Sequence, residues 1–242
     1  MVNYIYGFQP VLEILKRCPK KIDIIFIAKG LTSRKKQQLI SIARDKGINI
    51  KIYPRINLDY LLKNITPKPV HQGVVARLKT FYYAELEDII TDNLLLILDH
   101  IQDPQNLGNI IRSACAFGVK GIILPKDRAA NITPTVIKVS AGTVFKIKIV
   151  QVTNLAQTID KLKSAGFWIA GTVVKGGKPI WELKTDLRLG LVIGHEHKGI
   201  SRLIRQKCDF LITIPMMKDV NSLNVATAAA ICLYEIFRKR HD

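Results

Sequence analysis

The sequence is poor in cysteine and has no segment that would carry a chain into or across a membrane. Its four cysteines lie far apart and form no CxxC pair: Cys18, Cys115, Cys208 and Cys232. This spacing supports neither a zinc framework nor a disulfide scaffold and favours free thiols in a reducing compartment. No apolar run approaches the roughly 20 residues that span a bilayer, and the N-terminus lacks the charged region and cleavage site of a signal peptide. We therefore predict a cytoplasmic protein with no membrane partner.

Nucleotide-binding and hydrolase motifs are missing as well. No G-x-G-x-x-G follows the first strand of either predicted domain, so the fingerprint of dinucleotide-binding proteins and ordinary Rossmann methyltransferases is absent. The stretch Gly176-Gly177-Lys178 is followed by proline and lacks the spacing of a P-loop, which argues against a nucleoside triphosphatase. There is also no Gly-x-Ser-x-Gly elbow of the kind that presents a nucleophilic serine.

Acidic residues are scarce relative to basic ones. The chain has 37 Lys and Arg against 19 Asp and Glu, a formal net charge of +18 and a pI of about 9.9. Residues 1–80 hold 16 basic and 4 acidic residues, a net +12, whereas residues 81–242 hold 21 and 15, a net +6. Such a bias points to a polyanionic partner, with nucleic acid first and an anionic membrane second. A generally basic proteome is the remaining explanation.

Composition divides the chain into two predicted domains. We place a small basic α/β domain at residues 1–80, a linker at 81–92, where aromatic residues give way to acidic ones, and a larger domain at 93–242. Basic residues recur on the predicted loops and helix faces of the first domain: Lys20, Lys21, Lys29, Arg34, Lys35, Lys36 and Arg55. Any one of them is typical of a solvated surface, but as a cluster they predict binding to nucleic acid.

Hydrophobic periodicity predicts the elements within these domains. In the first domain we expect strands at residues 23–28, 48–53 and 73–78 and helices at 10–16, 33–43 and near 57–61. In the second we expect strands at 94–98, 121–124, 146–150, 168–172, 189–193 and 211–214 and helices at 109–117, 134–139, 155–165 and 222–238. Apolar strands that alternate with helices predict an α/β fold with a mostly parallel sheet and helices on both faces.

Three loops that follow predicted strands of the second domain carry unusual polar residues. In the first loop, Asp103-Pro104 is a turn signal, and Gly108 permits tight backbone geometry close to Asn106. Arg112 lies six positions after Asn106, and its permanently charged guanidinium suits a phosphate or a developing oxyanion. A surface arginine on an amphipathic helix is the alternative, but the apolar or small neighbours of Arg112 leave little polar face, so we favour a functional role.

The second loop follows strand 189–193 and contains Gly194 and Gly199, which indicate a backbone that closely approaches a ligand. His195 and His197 also occur there and suggest a metal pair. Two histidines two positions apart in a loop, with no third ligand nearby, are weak support for a metal site. We therefore predict that the protein has no metal site.

The third loop follows strand 211–214, which Pro215 ends because proline cannot donate to a sheet ladder. A helix is predicted to begin at Ser222, with Asn221 or Ser222 as its N-cap. Ser222 and Asn224 would then face the concave space between strand and helix. Ligands of α/β proteins usually bind in such spaces beyond the carboxyl ends of strands.

Together the three loops resemble the signature motifs of the SpoU/TrmH family of RNA ribose 2′-O-methyltransferases, within the SPOUT superfamily. The matching residues are Asp103-Pro104-x-Asn106-x-Gly108 with Arg112, Gly194-x-Glu196-x-x-Gly199, and Ile214-Pro215-Met216 with Ser222-Leu223-Asn224-Val225. Their order and spacing fit over residues 94–240. The first domain, with Tyr6-Gly7-Phe8 and Val70-His71-Gln72-Gly73, is similar to the basic RNA-binding domain of the bacterial 23S rRNA guanosine 2′-O-methyltransferase subgroup.

The resemblance implies a fold that spacing alone does not show. It implies a small α/β RNA-binding domain like the ribosomal L30e and L7Ae proteins, followed by a parallel-sheet SPOUT domain whose C-terminal segment threads a trefoil knot. It implies a homodimer and S-adenosyl-L-methionine as cofactor. The residues that would hold this cofactor are Thr172, Gly194, Gly199, Ile214, Met216 and Leu223.

The resemblance also assigns candidate catalytic residues. Arg112 would activate or orient the ribose 2′-hydroxyl, with phosphate binding as its alternative role. The residues that would orient Arg112 and the ribose are Asn106, Glu196, Ser222 and Asn224, and Glu196 is also a candidate to balance the positive sulfonium. The chain departs from the family at His197, where glycine is common, and at Phe145, where many relatives have glutamate.

The sequence therefore predicts an enzyme that methylates the ribose of a guanosine in large-subunit (23S) rRNA. A tRNA ribose methyltransferase is the alternative within the family. A non-catalytic RNA-binding assembly factor is the alternative from another class. The intact polar residues Asn106, Arg112, Glu196 and Asn224 argue against it, because a binder need not keep polar groups in a buried crevice. The basic first domain favours a structured RNA over a small molecule as substrate.

Overall fold

The structure is a computed structural model, and it divides into two compact units. It describes residues 3–30, 34–63, 65, 68–217 and 219–241. The first unit comprises Met1–Tyr82 and Thr133–Phe145, and the second comprises Tyr83–Ile132 and Lys146–Asp242. Ser33, at which the predicted helix 33–43 begins, lies outside the described residues.

Strands and helices alternate along most of the chain. The strands are β1 (Asn3–Tyr6), β2 (Ile22–Ala28), β3 (Asn49–Tyr53), β4 (Val74–Leu78), β5 (Leu94–Leu98), β6 (Gly121–Pro125), β7 (Lys148–Val152), β8 (Trp168–Thr172), β9 (Lys178–Pro179), β10 (Leu189–Ile193) and β11 (Phe210–Thr213). The helices are α1 (Phe8–Arg17), α2 (Arg34–Asp45), α3 (Arg55–Leu62), α4 (Pro104–Ala116), α5 (Pro134–Val139), α6 (Leu155–Ser164), α7 (Arg202–Lys207) and α8 (Val225–His241).

The first unit is built on a four-stranded sheet in the order β1-β4-β2-β3. β2 is parallel to β3, whereas β4 runs antiparallel to both β1 and β2. The apolar strand β2 is buried at all but one residue and lies inside the sheet, while β3 is mostly exposed and forms an edge. The core joins Phe26 and Val75 of the sheet to Leu58 and Leu62 of α3.

The short helix α5 also belongs to the first unit, because it packs against β1. Nearby, the Nζ atom of Lys138 lies 5.6 Å from the ring centroid of Tyr6, and the rings of Phe81 and Phe145 are 6.0 Å apart. The predicted division, with a first domain at 1–80 and a second at 93–242, places Thr133–Phe145 in the second domain. This division stays a prediction. The strand β1 was not predicted, since four residues are too few to show an alternating pattern.

The second unit contains a seven-stranded sheet in the order β7-β6-β5-β10-β8-β11-β9, and every described pair is parallel. β5, β6 and β10 are buried at every residue, as expected of strands covered on both faces. On one face α6 contributes Ile159 and Leu162 to a core with Ile97, Ile123 and Val192. The predicted α/β fold with a parallel sheet is confirmed.

The order of the strands changes direction between β5 and β10. From β5 the chain moves outward through β6 and β7 and then crosses to β8, and β10 later returns between β5 and β8. The register pairs Leu98 with Ile193 and Gly171 with Val192, so these carboxyl ends lie at one edge of the sheet. Ligands of open α/β sheets bind beyond such an edge, at such a switch point.

The first predicted loop of the second domain is partly helical. α4 begins at Pro104 and not at Asn109, and the Asp103 Oδ1 caps it by accepting from the backbone N–H of Gln105 at 2.9 Å. Proline suits the first position of a helix, where its missing N–H costs nothing. Asp103-Pro104 is therefore a helix start and not only a turn, and Asn106 lies in the first turns of α4.

The last predicted helix, 222–238, is shifted by three residues and runs from Val225 to His241, whereas the predicted elements of this unit other than this helix and α4 lie within about two residues of their expected bounds. α7 and β9 were not predicted, because six and two residues are too short to show periodicity. Within the described part of the chain, no helix is both long and apolar enough to cross a bilayer. The trefoil knot and the likeness to L30e and L7Ae stay predictions from the resemblance.

Candidate active site

A cavity of about 550 Å³ lies where the loops after β8, β10 and β11 meet the start of α8. The six residues predicted to hold a cofactor all line it: Thr172, Gly194, Gly199, Ile214, Met216 and Leu223. Glu196 and Ser222, two of the predicted catalytic residues, line it as well. The volume lies in the range of about 300–1,000 Å³ found for small-molecule sites. The structure thus brings the second and third predicted loops together around one concave space.

Glycines shape the wall that the second loop gives to this cavity. The loop closes on itself, because His195 N–H donates to the Gly199 carbonyl at 3.0 Å and Gly199 N–H donates to the His195 carbonyl at 2.9 Å. A Cβ atom on Gly194 would lie 2.2 Å from the Gly199 carbonyl carbon and from the Ile200 nitrogen. Any side chain at residue 194 would therefore open this bend.

A chain of hydrogen bonds joins all three predicted loops. The Asn106 Nδ2 donates to the Glu196 Oε1 at 3.2 Å, and the Asn106 Oδ1 accepts from the Asn224 Nδ2 at 3.1 Å. Asn106 is only 8% exposed. One buried amide therefore connects α4 to the loop after β10 and to the segment before α8.

The segment before α8 is capped differently from the prediction. α8 begins at Val225, and Asn224 is its cap in place of Asn221 or Ser222. The Asn224 Oδ1 accepts from the backbone N–H groups of Ala226 at 2.9 Å and Thr227 at 3.3 Å. Capping a helix N-terminus satisfies donors that have no partner within the helix. The same side chain therefore starts α8 and, through its Nδ2, reaches Asn106.

Glu196 has one satisfied and one unsatisfied carboxylate oxygen. Burial opposes its ionisation, but hydrogen bonds from its own backbone, from the Asn106 side chain and from the backbone of Asp103 and Gln102 outweigh it and lower the pKa of Glu196. Oε2 is buried and has no hydrogen-bond partner among the described residues. The His195 Nδ1 lies 3.7 Å from Oε2 but already accepts the His197 N–H at 3.1 Å, so it does not donate to Glu196. A buried acceptor is left available beside the cavity.

Asp99 is a residue of the site that the sequence analysis did not single out. It is 2% exposed, and its Oδ2 accepts from the backbone N–H of Ser201 at 2.7 Å. Its Oδ1 lies 2.6 Å from the His100 Nδ1. Asp99 therefore ties the end of the loop after β10 to the end of β5. An acidic residue directly after the fully apolar strand Leu94–Leu98 is the signal that could have identified it.

Arg112 does not join this network in the described contacts. It is exposed on α4, and it is not among the described residues that line the cavity. Six residues along an α-helix correspond to about 9 Å and leave Arg112 roughly a third of a turn from the face of Asn106. If Arg112 acts as predicted, it therefore contacts a molecule outside the cavity and not the residues that line the cavity.

The two histidines of the second loop lie near each other, and the absence of a metal stays a prediction. Their ring centroids are 6.0 Å apart, and the described residues contain no group of three or more side chains suited to hold a metal ion. His197 is not among the described residues with positive φ. Its backbone is therefore not strained by a side chain at a position where the family resemblance leads us to expect glycine. Cys232, which also lines the cavity, is buried, and burial raises the pKa of its thiol to about 12. Cys115, Cys208 and Cys232 are free thiols.

Comparison with known proteins gives matches along almost the whole chain. Residues 93–234 match the model of the SpoU rRNA Methylase family, and residues 4–84 match the model described as RNA 2′-O ribose methyltransferase substrate binding. A protein of Staphylococcus aureus assigned to the TrmH family of tRNA/rRNA methyltransferases is 41% identical over 228 residues, 91% of this chain and 90% of the relative. YacO of Bacillus subtilis, assigned to the same family, is 39% identical over 246 residues, 99% of this chain and 96% of the relative.

Solved structures show the same fold. The SpoU methyltransferase AviRb from Streptomyces viridochromogenes, in complex with the cofactor AdoMet, superposes with a TM-score of 0.77 at 26% identity. The match covers 98% of this chain and 90% of AviRb. An rRNA methyltransferase from Sinorhizobium meliloti has a TM-score of 0.77 at 24% identity, which supports the fold.

Replacing Glu196 with Gln tests whether the site depends on an ionised carboxylate. Because its pKa is lowered in the folded protein, Glu196 stabilises the fold above its ordinary pKa of 4.5, and this contribution is lost as the pH falls through the folded pKa. We expect the Glu196→Gln variant to lose about 1–2 kcal/mol of unfolding free energy at neutral pH, measured by urea denaturation. This difference from the wild type should shrink as the pH falls through the folded-state pKa of Glu196. The exposed Glu182→Gln variant should match the wild type throughout, and a deficit for Glu196→Gln that is independent of pH would refute the assignment.

Proposed function

We propose that this chain, which belongs to the SpoU rRNA methylase family, transfers a methyl group from S-adenosylmethionine to a ribose 2′-hydroxyl, in a guanosine of large-subunit (23S) rRNA. Membership of the family makes the chain an RNA methyltransferase, and S-adenosylmethionine is the methyl donor of the family. The observation that carries the proposal for its site is the hydrogen-bonded chain from Asn224 through Asn106 to Glu196, at a cavity lined by all six predicted cofactor residues.

The cavity suits a small cationic ligand. Its walls include the tight bend between Gly194 and Gly199, in which a Cβ atom at residue 194 would clash with the backbone of Gly199 and Ile200. The buried, unsatisfied Oε2 of Glu196 belongs to a carboxylate that its hydrogen bonds keep ionised, so it favours a positive group nearby. S-adenosylmethionine supplies an electrophilic methyl group on a positively charged sulfur. Thr172, Ile214, Met216 and Leu223 would hold it.

The transfer forms a bond between the ribose 2′-oxygen and the methyl carbon and breaks the bond from that carbon to sulfur. The sulfur keeps the bonding electron pair and becomes a neutral thioether, and the hydroxyl proton passes to water. Orienting and polarising the hydroxyl is then the task of the protein, and much of the rate can come from positioning. We assign this task to Arg112, with phosphate binding as its alternative role. Asn106, Ser222 and Asn224 would orient the ribose. The exposure of Arg112 fits a residue that meets RNA and not the cofactor.

The choice of RNA rests on the first unit. Residues 1–80 carry a net +12, as a domain that docks a structured polyanion would. The resemblance of this unit to the 23S rRNA subgroup supports rRNA. Two of the relatives are named for both tRNA and rRNA, and this favours tRNA as the second candidate substrate. The proposal places the enzyme in the cytoplasm, where both RNAs are available.

We include a homodimer in the proposal. On α8 the apolar side chains Ile231 and Tyr234 are 37% and 52% exposed. Tyr234 stands edge-on to Phe117 with ring centroids 5.7 Å apart. Contiguous apolar patches mark surfaces that other proteins cover, and Ile231 and Tyr234 are two apolar side chains exposed three positions apart on this helix. A second copy of this chain is the partner that the family resemblance implies.

Changing Arg112 to Ala should abolish methyl transfer and leave the fold and cofactor binding intact. The reason is that Arg112 is exposed and does not line the cavity, so its removal costs neither packing nor ligand contacts. Transfer is measured with radiolabelled S-adenosylmethionine on ribosomal RNA, and cofactor binding by calorimetry. Arg202→Ala, a change of an exposed arginine on α7, is the matched control and should remain active. Wild-type turnover by Arg112→Ala would remove this residue from the mechanism.

The substrate itself is identified by mapping ribose methylation in cells with and without the protein. We expect one guanosine of 23S rRNA to lose its 2′-O-methyl group when the protein is absent and to regain it when the wild type, but not Arg112→Ala, is restored. Loss confined to a tRNA would support the second candidate. If methylation of both RNAs is unchanged and the pure protein binds no cofactor, the remaining explanation is a non-catalytic RNA-binding protein.

Placing a charge at Tyr234 tests the dimer. If α8 is covered by a second copy, a buried unpaired carboxylate there is strongly unfavourable, and Tyr234→Glu should sediment as a monomer while the wild type sediments as a dimer. The control is Leu203→Glu, a change of an apolar side chain that is 56% exposed on α7. A wild type that is monomeric at micromolar concentration would contradict the dimer.

A further inference from the structure

A second groove lies on the first unit, between α3 and the segment that precedes β4. Its walls are Ile56, Tyr60 and Lys63 on or next to α3 and Lys68 and Val70 opposite, around a space of about 620 Å³. Ile56 and Tyr60 are one helical turn apart and are 73% and 66% exposed, and Val70 is 76% exposed. We call this space the α3 groove. It presents apolar and aromatic surface to solvent in the most basic part of the chain.

We propose that the α3 groove binds an unpaired base of a single-stranded RNA segment, stacked on Tyr60, with the adjoining phosphates on Lys63 and Lys68. The inference rests on the proposed function, since it takes RNA as the substrate, and it adds where and in which form that RNA is held. The site is distinct from the cavity of the second unit.

Hydrogen bonds of the buried His71 join the two walls of the α3 groove. His71 is 1% exposed and its Nδ1 accepts the backbone N–H of Gly73 at 3.0 Å, so its other nitrogen carries the proton. That Nε2 donates to the Asp59 Oδ1 at 3.0 Å, which links the segment before β4 to α3. The next residue, Gln72, has a positive φ of 51° and accepts the backbone N–H of Phe8 at 3.1 Å. The groove is therefore preformed, and little ordering is needed when a ligand enters.

The groove has the chemistry that a nucleobase and its phosphate require. The Nζ of Lys63 lies 3.9 Å from the ring centroid of Tyr60, and a hydrogen bond with Lys63 together with its positive charge lowers the pKa of the tyrosine. Aromatic rings beside cations are the recurring elements of single-strand binding sites, because every base has a face that can stack. The acidic residue of the groove, Asp59, is already bonded to His71 and so presents a weaker repulsion to a phosphate.

Charge and geometry favour unpaired RNA over the other occupants of an apolar groove. Residues 1–80 carry a net +12, which opposes association with a second copy of the same surface and attracts a polyanion. Paired bases in an RNA helix are stacked on each other and are not free to enter a groove, whereas bases of loops and bulges are. The proposal therefore predicts that the RNA contacts this unit through a loop, a bulge or a free end.

The test measures binding of the full-length protein to a fluorescein-labelled oligouridylate strand and to the same strand annealed to oligoadenylate. Tyr60→Ala should weaken binding of the single strand by roughly 5- to 100-fold, the usual effect of removing one stacking aromatic, and should change duplex binding much less. Tyr60→Phe keeps the ring and should bind as the wild type does. Lys68→Gln should reduce the slope of log affinity against log salt by about 0.7, the value for one phosphate of a single strand.

Tyr82→Ala is the matched control, because Tyr82 is 80% exposed and lies outside the groove. Its affinity for both probes should equal that of the wild type, and circular dichroism should show that all variants are folded. An unchanged affinity for Tyr60→Ala, or an equal loss on single strand and duplex, overturns the proposal. So does a Tyr60→Ala effect on self-association without one on RNA, because the groove would then contact a second copy.

The same data separate this inference from the proposed function. If the wild type binds the single strand through Tyr60 but transfers no methyl group, the RNA site in the groove is supported and the proposed methyltransferase activity is contradicted. If Tyr60→Ala methylates RNA as well as the wild type does and binds each probe with wild-type affinity, the methyltransferase activity is supported and the RNA site in the groove is contradicted.

Discussion

The side-chain amide of Asn106 connects the three segments on which the site depends. It donates to Glu196 and accepts from Asn224, so its oxygen and nitrogen are each matched to one partner. Because Asn106 is 8% exposed, water cannot readily replace these partners, and a buried polar group left unpaired costs about 1–3 kcal/mol. The loop after β10 and the start of α8 are therefore held against α4. Segments separated by about half of the chain act as one site.

The sheet makes this connection possible. β10 enters between β5 and β8, which places the loop after β10 at the switch point and beside the ends of both neighbours. Two local constraints then shape that loop. Gly194 has no room for a Cβ atom, and Asp99 ties Ser201 to the end of β5. Packing and hydrogen bonds thus set the course of the loop that lines the cavity, and such a fixed loop would suit the proposed binding of a methyl donor beside its acceptor with little reorganisation.

The proposed function assigns RNA docking to the first unit and methyl transfer to the second. The first carries a net +12 over residues 1–80 and a groove with exposed aromatic and apolar side chains, and the proposed contact with unpaired RNA rests on these features. The second carries the buried polar network and the cavity. Under the proposed function, the first unit would dock the RNA and the second would carry out methyl transfer, so both would contribute to the choice of nucleotide.

Local patterns in the sequence determined the α/β class and the parallel sheet, because buried strands must be continuously apolar, and they marked Gly194 as a point of close backbone approach. The six residues predicted to hold the cofactor came only from the resemblance to a family. The same resemblance placed Asn106, Glu196 and Asn224 in one site. The tertiary structure decided what depends on distant contacts. It showed that Asn224 caps α8, that Asp99 anchors a loop about a hundred residues away, and that α5 packs on β1. A hydrogen bond between such distant segments leaves no periodic trace in the chain, so only the folded protein could reveal it.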